Sequence, residues 1–377
     1  MLTRPGRYVR WALGLSWALL AFHAGAQDVR VDTLAVLSAS NPVPGSGRVT
    51  GDFNGDRISD ITFTNPFTLQ VGYWTMTPGA EPGVYLRSTA KTFDISPGYA
   101  IGAMGDFNGD GLADLMLTSA ARDLYLWTND GHGNFTKTYV DSYPAGWQLV
   151  GAGDIDGDGS DDLLWLNPQG CQFGYWLMKA GKRVGSRIVP VTCGYVPLAV
   201  GYFSPTPRLS IIWSSSLRDL YVWDSVAGGG FASYPLGTYP QGTQLGGING
   251  GTGGTGIRVV TLDGSTNSTI SPSVGHVYTI DRSFDMQSRQ VSFTTTQVWD
   301  EFAPVPWSAA GTIVDSRATP LVAPIEQYGN DAIALCPPGV DDGWLGTSCT
   351  HYAVPRGWFI PGTAQAGVIL STPGVSP

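Results

Sequence analysis

The sequence predicts an all-β fold, a seven-bladed β-propeller of four-stranded antiparallel blades, in preference to a ring of six or eight. Three observations carry that expectation. A nine-residue acidic loop recurs at Gly51-DFNGDRISD-Ile61, Gly105-DFNGDGLAD-Leu115 and Gly153-DIDGDGSDD-Leu163, its copies starting 54 and 48 residues apart. Each copy is followed by short β-prone runs, and four strands in roughly 50 residues is the size of one blade. Helical periodicity is absent through this region, and 51 glycines with 26 prolines argue against long helices.

Read in order, the chain opens with Arg4, Arg7 and Arg10, an apolar run from Trp11 to Phe22, and the small residues Ala24-Gly25-Ala26. This is the order of a secretory signal peptide, and the apolar run is well short of the about 20 residues that span a bilayer as a helix. Residues 1–26 are therefore expected to be a signal, and 27–377 a single propeller domain, secreted or periplasmic, without an integral membrane segment. After the β-prone stretch Val29 to Ser38 comes the first acidic loop, then Ile61 to Phe63 and Gln70-VGYW. The second loop leads to Leu115 to Leu117 and Asp123-LYLW, the third to Leu163 to Trp165 and Gln172-FGYW.

A longer period runs beneath this one. Gly72-Tyr73-Trp74-Thr75-Met76 returns 102 residues later at Gly174 to Met178, and Arg122-Asp123-Leu124-Tyr125 returns after 96 at Arg218 to Tyr221. Blades therefore descend as pairs, which places a fourth at Gly201-YFSPTPRLS-Ile211, its loop stripped of acids. A fifth starts at Leu245 to Gly250, with strands at Ile257 to Leu262 and Val277 to Ile280. A sixth starts at Trp307, aligned with Pro197, and ends in Pro355-Arg356-Gly357-Trp358, which echoes Pro144-Ala145-Gly146-Trp147. The remaining Gly362 to Leu370 joins Val29 to Ser38 in a seventh blade made from both termini, which closes the ring and hides its edges. Acidic-loop blades then cover about 50–200 and degenerate ones about 201–371.

The acidic loops put oxygen-bearing side chains at positions one, three, five and nine: Asp52, Asn54, Asp56, Asp60; Asp106, Asn108, Asp110, Asp114; and Asp154, Asp156, Asp158, Asp162. Calcium takes about six to eight oxygens, which alternate side chains on a curled loop supply, and the seventh-position carbonyls of Ile58, Leu112 and Ser160 add a ligand each. Two or three structural calcium ions are expected. An EF-hand is excluded, because its bidentate Glu at position 12 is replaced by Phe63, Leu117 or Trp165 and the flanks read as strands. Without a cation the converging carboxylates would repel one another. The formal net charge of -9 falls to -12 once Arg4, Arg7 and Arg10 leave, but ten of the acids are loop ligands and three calcium ions return about +6. Nucleic acid is disfavoured as a partner.

Loops of this D-x-[DN]-x-D-G-x-x-D spacing, preceded by Gly and followed by an apolar strand, resemble the FG-GAP or VCBS repeats of integrin alpha-chain propellers and many secreted bacterial proteins. The resemblance covers roughly residues 50–200. It implies a calcium-holding loop between the first two strands of a blade, and adhesion or glycan contact as the function. This chain departs from the pattern at Arg57, which stands where Gly111 and Gly159 stand in the other copies, and in its last four blades, which lack the acids.

Four cysteines in an exported chain favour disulfides, and pairing within repeats joins Cys171 with Cys193 and Cys336 with Cys349. Gly251-TGGTG-Ile257 matches a dinucleotide motif in form only, since it leads into a strand. Only His132, His276 and His351 follow the signal, His132 in a turn context, and nothing nominates a catalytic pair. Repeating tryptophans (Trp74, Trp127, Trp165, Trp176, Trp213, Trp223) read as packing between blades. The non-repeating Trp299, Trp344, His351 and Tyr352, with Trp307 and Trp358 nearby, are the better candidates for a binding face. The sequence thus suggests a secreted calcium-binding module that recognises an extracellular glycan or protein without catalysis. The rival reading is a polysaccharide lyase or hydrolase on the same scaffold.

Overall fold

The computed structural model describes residues 43, 45–80 and 83–239, and beyond them chiefly the strands between 243 and 360. Its strands form six antiparallel sheets in chain order. The first holds β1 (Ile61–Asn65), β2 (Gln70–Pro78) and β3 (Tyr85–Asp94); the second β4 (Tyr99–Gly105), β5 (Asp114–Ser119), β6 (Asp123–Asn129) and β7 (Phe135–Ser142). The third holds β8 (Gln148–Gly153), β9 (Asp162–Asn167), β10 (Gln172–Lys179) and β11 (Lys182–Pro190); the fourth β12 (Val196–Gly201), β13 (Ser210–Ser214), β14 (Asp219–Ser225) and β15 (Phe231–Thr238). The fifth holds β16 (Thr243–Gly250), β17 (Ile257–Asp263), β18 (Ser273–Asp285) and β19 (Gln290–Ala303), and the sixth β20 (Trp307–Asp315), β21 (Leu321–Tyr328), β22 (Ala332–Leu335) and β23 (Thr350–Ala353). The opening strands β4, β8, β12, β16 and β20 neighbour one another in that order, which makes the fold an all-β propeller.

The burial pattern explains the sequence pattern. Strands near the axis are covered on both faces by adjacent blades, so β1, β5 and β13 are buried throughout and read as unbroken apolar or small runs. The outer strands β3 and β11 are mostly exposed and correspondingly polar. Core clusters fill the junctions of sheets one with two, two with three, three with four, and four with five. The repeating tryptophans populate these clusters: Trp165 lies 4.8 Å from Trp176 and Trp213 lies 4.9 Å from Trp223, ring centre to ring centre.

Bulges record both periods. The pairing of each first strand with the second slips at Ile101/Ala103, Leu149/Gly151, Pro197/Ala199 and Leu245/Gly247, a spacing of 48 residues. The sixth sheet slips at Ala309/Gly311, so Ala309 answers Pro197. The expected alignment of Trp307 with Pro197 is two residues out of register, a shift that a sequence without acids in its loop could not fix. A second set of bulges falls at Thr75/Met76 and Leu177/Met178, 102 apart, and at Leu124/Tyr125 and Leu220/Tyr221, 96 apart. The paired descent of blades is therefore built into the backbone.

The sixth sheet also packs on the first. Ile333, Leu335, Val354 and Ile360 share a buried cluster with Ile61, Phe63, Trp74 and Met76. The expected signal peptide and the expected seventh blade, at 29–38 and 362–370, lie outside the described residues. Cys171 and Cys193 form a disulfide, and Cys336 and Cys349 lie outside the described residues. No helix among the described residues is long and apolar enough to cross a membrane.

Trp165 is 2 % exposed and touches Trp176 within its own sheet and Tyr143 across the second junction. Truncation to Ala leaves a cavity there, and is expected to cost about 3–5 kcal/mol of unfolding free energy, read as a lowered urea midpoint at unchanged slope.

Candidate metal centre

The second and third acidic loops join the first strand of a blade to the second, and the first loop leads into β1; in all three the carboxylates fold the loop before any ion is considered. The position-one Asp accepts backbone N–H groups from positions four and six with different oxygens: Gly55 and Arg57 on Asp52, both at 2.7 Å; Gly109 at 2.7 Å and Gly111 at 2.8 Å on Asp106; and Gly157 at 2.6 Å and Gly159 at 2.9 Å on Asp154. Position three accepts from the N–H of position five, and position five from that of position seven, as Asn108 does for Asp110 at 2.9 Å and Asp110 for Leu112 at 2.9 Å. Such a curl requires a left-handed residue at position six. Gly111 and Gly159 supply it with φ of 90° and 94°, whereas Arg57 is held at 68°. The first loop keeps its fold and carries strain at Arg57.

Position nine ties the loop to the body of the blade. Asp60 accepts the N–H groups of Phe53 at 2.8 Å and Met76 at 2.9 Å, and Asp162 those of Ile155 at 3.0 Å and Met178 at 2.8 Å. Asp114 accepts that of Asn129 at 2.8 Å, while its Oδ2 is buried without a hydrogen bond. Burial pushes the Asp114 and Asp162 carboxyls up to about 8 and Asp60 well above its ordinary value. An anion in such a place is stabilised by a neighbouring cation. In the third loop Asp154, Asp156 and Asp162 bring one carboxylate oxygen each within 4.8 Å of one another. Hard oxygen donors, an orphaned buried oxygen and two-sided burial all fit a divalent hard cation.

Three residues absent from the sequence reading complete the site. Asp161, at position eight of the third loop, accepts the N–H of Asp106 at 2.8 Å and the hydroxyl of Tyr202 at 3.2 Å. Arg48 lies 3.6 Å from both Asp161 and Asp106 and donates to the carbonyl of Gly159. Burial pushes the Asp161 carboxyl up to about 6, against the Arg48 charge. The sequence did carry signals: position eight is Ser59 and Ala113 in the other loops, so Asp161 is an acid beyond the ligand set, and Tyr202 fills position one of the stripped fourth loop. Arg208 of that fourth loop donates to the carbonyls of Ile155 and Asp156, so an arginine leans on the back of the third loop.

A family model described as the FG-GAP-like repeat matches residues 106–165, the span of the second and third loops. The chain carries an FG-GAP-like repeat on a β-propeller. No curated protein matches the sequence significantly. Solved structures similar to the chain include AofleA from Arthrobotrys oligospora, at 11% identity and a TM-score of 0.46, over 86% of this chain and 96% of that one. The periplasmic gluconolactonase PpgL of Pseudomonas aeruginosa matches at 12% identity and a TM-score of 0.38, over 78% of each chain. BBS1N in complex with ARL6DN matches at 10% identity and 0.37, over 85% and 83%. The propeller assignment rests on the sheets and junctions described above and not on these likenesses.

Of the residues expected to bind a ligand, Trp299 falls on the fifth sheet and His351 and Tyr352 on the sixth. Tyr352 stands in β23, its ring 5.6 Å from Trp74 and its hydroxyl accepting the Arg87 N–H at 2.8 Å. His351 lies opposite Ala334 in the strand pairing and Trp299 opposite Val277; their side chains, and Trp344, lie outside the described residues. His132 sits in the exposed turn between β6 and β7, where its N–H donates to Asp130 at 2.8 Å. Gly251 to Gly256 lies outside the described residues, between strands β16 and β17.

Two outcomes follow from the FG-GAP loops. Arg57→Gly relieves a left-handed residue with a Cβ, and is expected to stabilise the protein by about 0.5–1 kcal/mol after the added chain entropy is counted, seen as a higher urea midpoint. The raised carboxyls of Asp114 and Asp162 bind protons in the folded state that the unfolded chain releases. Their contribution to metal-free stability is therefore full below their ordinary pKa of 3.8 and lost as pH rises through about 8. Calcium competes with those protons, so the gain in melting temperature from calcium over chelator should be larger near pH 8 than near pH 5.

Proposed function

We propose that the protein is an extracytoplasmic, calcium-stabilised β-propeller that acts as a non-catalytic recognition module for carbohydrate. The observation that carries the calcium part is the convergence of Asp154, Asp156 and Asp162 within 4.8 Å in a loop whose position-nine carboxylate is buried. In this reading Asp154, Asp156, Asp158, Asp162 and the Ser160 carbonyl hold one ion. Asp106, Asn108, Asp110, Asp114 and the Leu112 carbonyl hold a second, and Asp52, Asn54, Asp56, Asp60 and the Ile58 carbonyl a third, weakened by Arg57. Extracellular calcium modules bind with Kd of about 10⁻⁴ to 10⁻³ M, and at ten times Kd each ion adds about 1.4 kcal/mol of stability. The Cys171–Cys193 disulfide supports a location outside the cytoplasm.

Recognition is supported by an aromatic and cationic cavity of about 270 Å³ where the sixth sheet meets the first, with Trp74, Arg87, Lys91 and Trp358 in its wall. Tyr352 backs it through Trp74, and the Arg87 guanidinium lies over both rings at 4.8 and 5.4 Å. Aromatic faces beside polar groups suit sugars. A glycan array probed with the calcium-loaded protein should show retention without release of reducing ends or unsaturated sugars. Release would overturn the non-catalytic reading.

For the single domain of residues 27–377, the same junction supports a ring of six blades in place of the expected seven. Trp358 packs on Gly72 as Trp147 packs on Gly174: a Cβ on either glycine would meet the indole at 3.4 and 3.0 Å. Trp147 immediately precedes β8, the first strand of its blade, and the buried Leu149 follows two residues later. Ile360, two residues after Trp358, is buried likewise. Trp358 and Ile360 then stand where Trp147 and Leu149 stand, at the entry to an axial strand of the first blade that Arg48 to Gly51 would complete. A chain ending at residue 365 should keep its melting temperature within a few degrees. Collapse of that truncated chain would restore the seventh blade.

A further inference from the structure

Two cavities repeat with the paired blades. One, of about 290 Å³, opens beside the second sheet and the other, of about 300 Å³, beside the fourth. Their walls correspond at a spacing of 96 residues: Tyr99 with Tyr195, Tyr125 with Tyr221, and Trp127 with Trp223. In each, one tyrosine meets the other edge to face, at 5.7 Å in the first and 5.9 Å in the second.

A polar device behind each cavity repeats as well. The Tyr99 hydroxyl donates to Asp123, whose other oxygen accepts from Ser119. The Tyr195 hydroxyl donates to Asp219, whose other oxygen accepts from Ser215 at 2.6 Å. Both hairpins keep an arginine in the left-handed region, Arg122 at 63° and Arg218 at 62°, a strain that persists only where the surroundings fix it. With its proton committed to the aspartate, each tyrosine hydroxyl still has lone pairs to accept from a ligand hydroxyl. Neither Asp123 nor Asp219 lines its cavity, so no carboxylate faces a ligand directly.

The two differ in a way that ranks them. Lys137 holds its Nζ 3.7 Å from the centre of the Trp127 ring, which is 4 % exposed. At the equivalent place the fourth sheet has Ser233, and Trp223 is partly exposed, with Trp213 in place of Leu117. The Cys171–Cys193 disulfide anchors the turn that carries Thr192 and Tyr195 on the rim of this second cavity.

We infer that these are paired subsites for neutral hexopyranose units, the aromatic faces taking the C–H face of the sugar and the tyrosine hydroxyls fixing its rim. The cavity beside the fourth sheet is the stronger, because its indole is open. The inference rests on the carbohydrate reading above and says where that ligand sits. Two occupied subsites on one rigid ring raise avidity for a multivalent glycan.

The test uses the full calcium-loaded protein, titrated calorimetrically with methyl glycosides and neutral oligosaccharides of glucose, mannose, galactose and fucose. Ser233→Lys installs the cap of the other site and should weaken binding about tenfold, whereas Lys137→Ser should strengthen the weaker class of site. Both positions are exposed, so melting temperatures should stay put and report intact folding. Tyr221→Ala should abolish the stronger class. Saturable binding unaffected by Ser233→Lys and Tyr221→Ala would overturn the sites while leaving carbohydrate recognition standing. Failure of every sugar to bind the wild-type protein would overturn both.

Discussion

The arrangement depends on one backbone hydrogen bond, repeated from blade to blade. The N–H at loop position eight donates to the carbonyl of position one in the preceding loop: Ala113 to Asp52 at 2.6 Å, Asp161 to Asp106 at 2.7 Å, and Leu209 to Asp154 at 2.9 Å. Each loop is curled by its own carboxylates, so the carbonyl offered to the next blade is only as well placed as those carboxylates are. A second contact follows the same logic, the Phe53 carbonyl receiving the Asn129 side chain at 2.7 Å and the Phe107 carbonyl receiving the Gly181 N–H at 2.9 Å. The acidic loops thus fasten neighbouring blades together. An ion bound in them would stiffen a junction and not merely a loop.

This view explains how the fourth blade tolerates the loss of its acids. Leu209 still donates to Asp154, and Arg208 adds donations to the carbonyls of Ile155 and Asp156. Tyr202, in the position of the lost first aspartate, donates instead to Asp161 and accepts the Asp154 N–H at 3.2 Å. Arg48 joins the same network from the other side, so a fixed cation sits beside two loops whose buried carboxylates call for positive charge. Direct side-chain contacts stand in for the acidic loop where the acids are gone.

Much of this was legible in the sequence because loops and strands repeat. The spacing of the acidic copies located the first three sheets, and the 102- and 96-residue echoes of Gly72 to Met76 and Arg122 to Tyr125 located the fourth and reappeared as backbone bulges. What did not repeat could not be read. Arg48 stands 111 residues from Gly159 in sequence and meets it only through the ring. Trp358 was recognised as an echo of Trp147, but that it lies on Gly72 of the first sheet is a consequence of closure. The register of the sixth sheet was misplaced by two residues because no acid marks its loop. The ligand-facing cavities escaped notice for a further reason: their tyrosines and tryptophans repeat like core residues, and only the shape of the junction leaves them open.

In the proposed function the acidic loops bind calcium and the ion stabilises the fold. Asp158 tests it directly: it is exposed, its Oδ1 accepts the Ser160 N–H at 2.9 Å and its Oδ2 pairs with Lys179 at 3.2 Å, so its loss should cost only about 1 kcal/mol without metal. Thermal unfolding of the wild type and of Asp158→Ala, each in calcium and in chelator, is the decisive comparison. Calcium is expected to raise the wild-type melting temperature and to raise that of Asp158→Ala much less, whereas in chelator the two proteins differ only by the small cost of the lost Ser160 hydrogen bond. A wild-type melting temperature indifferent to calcium would contradict it.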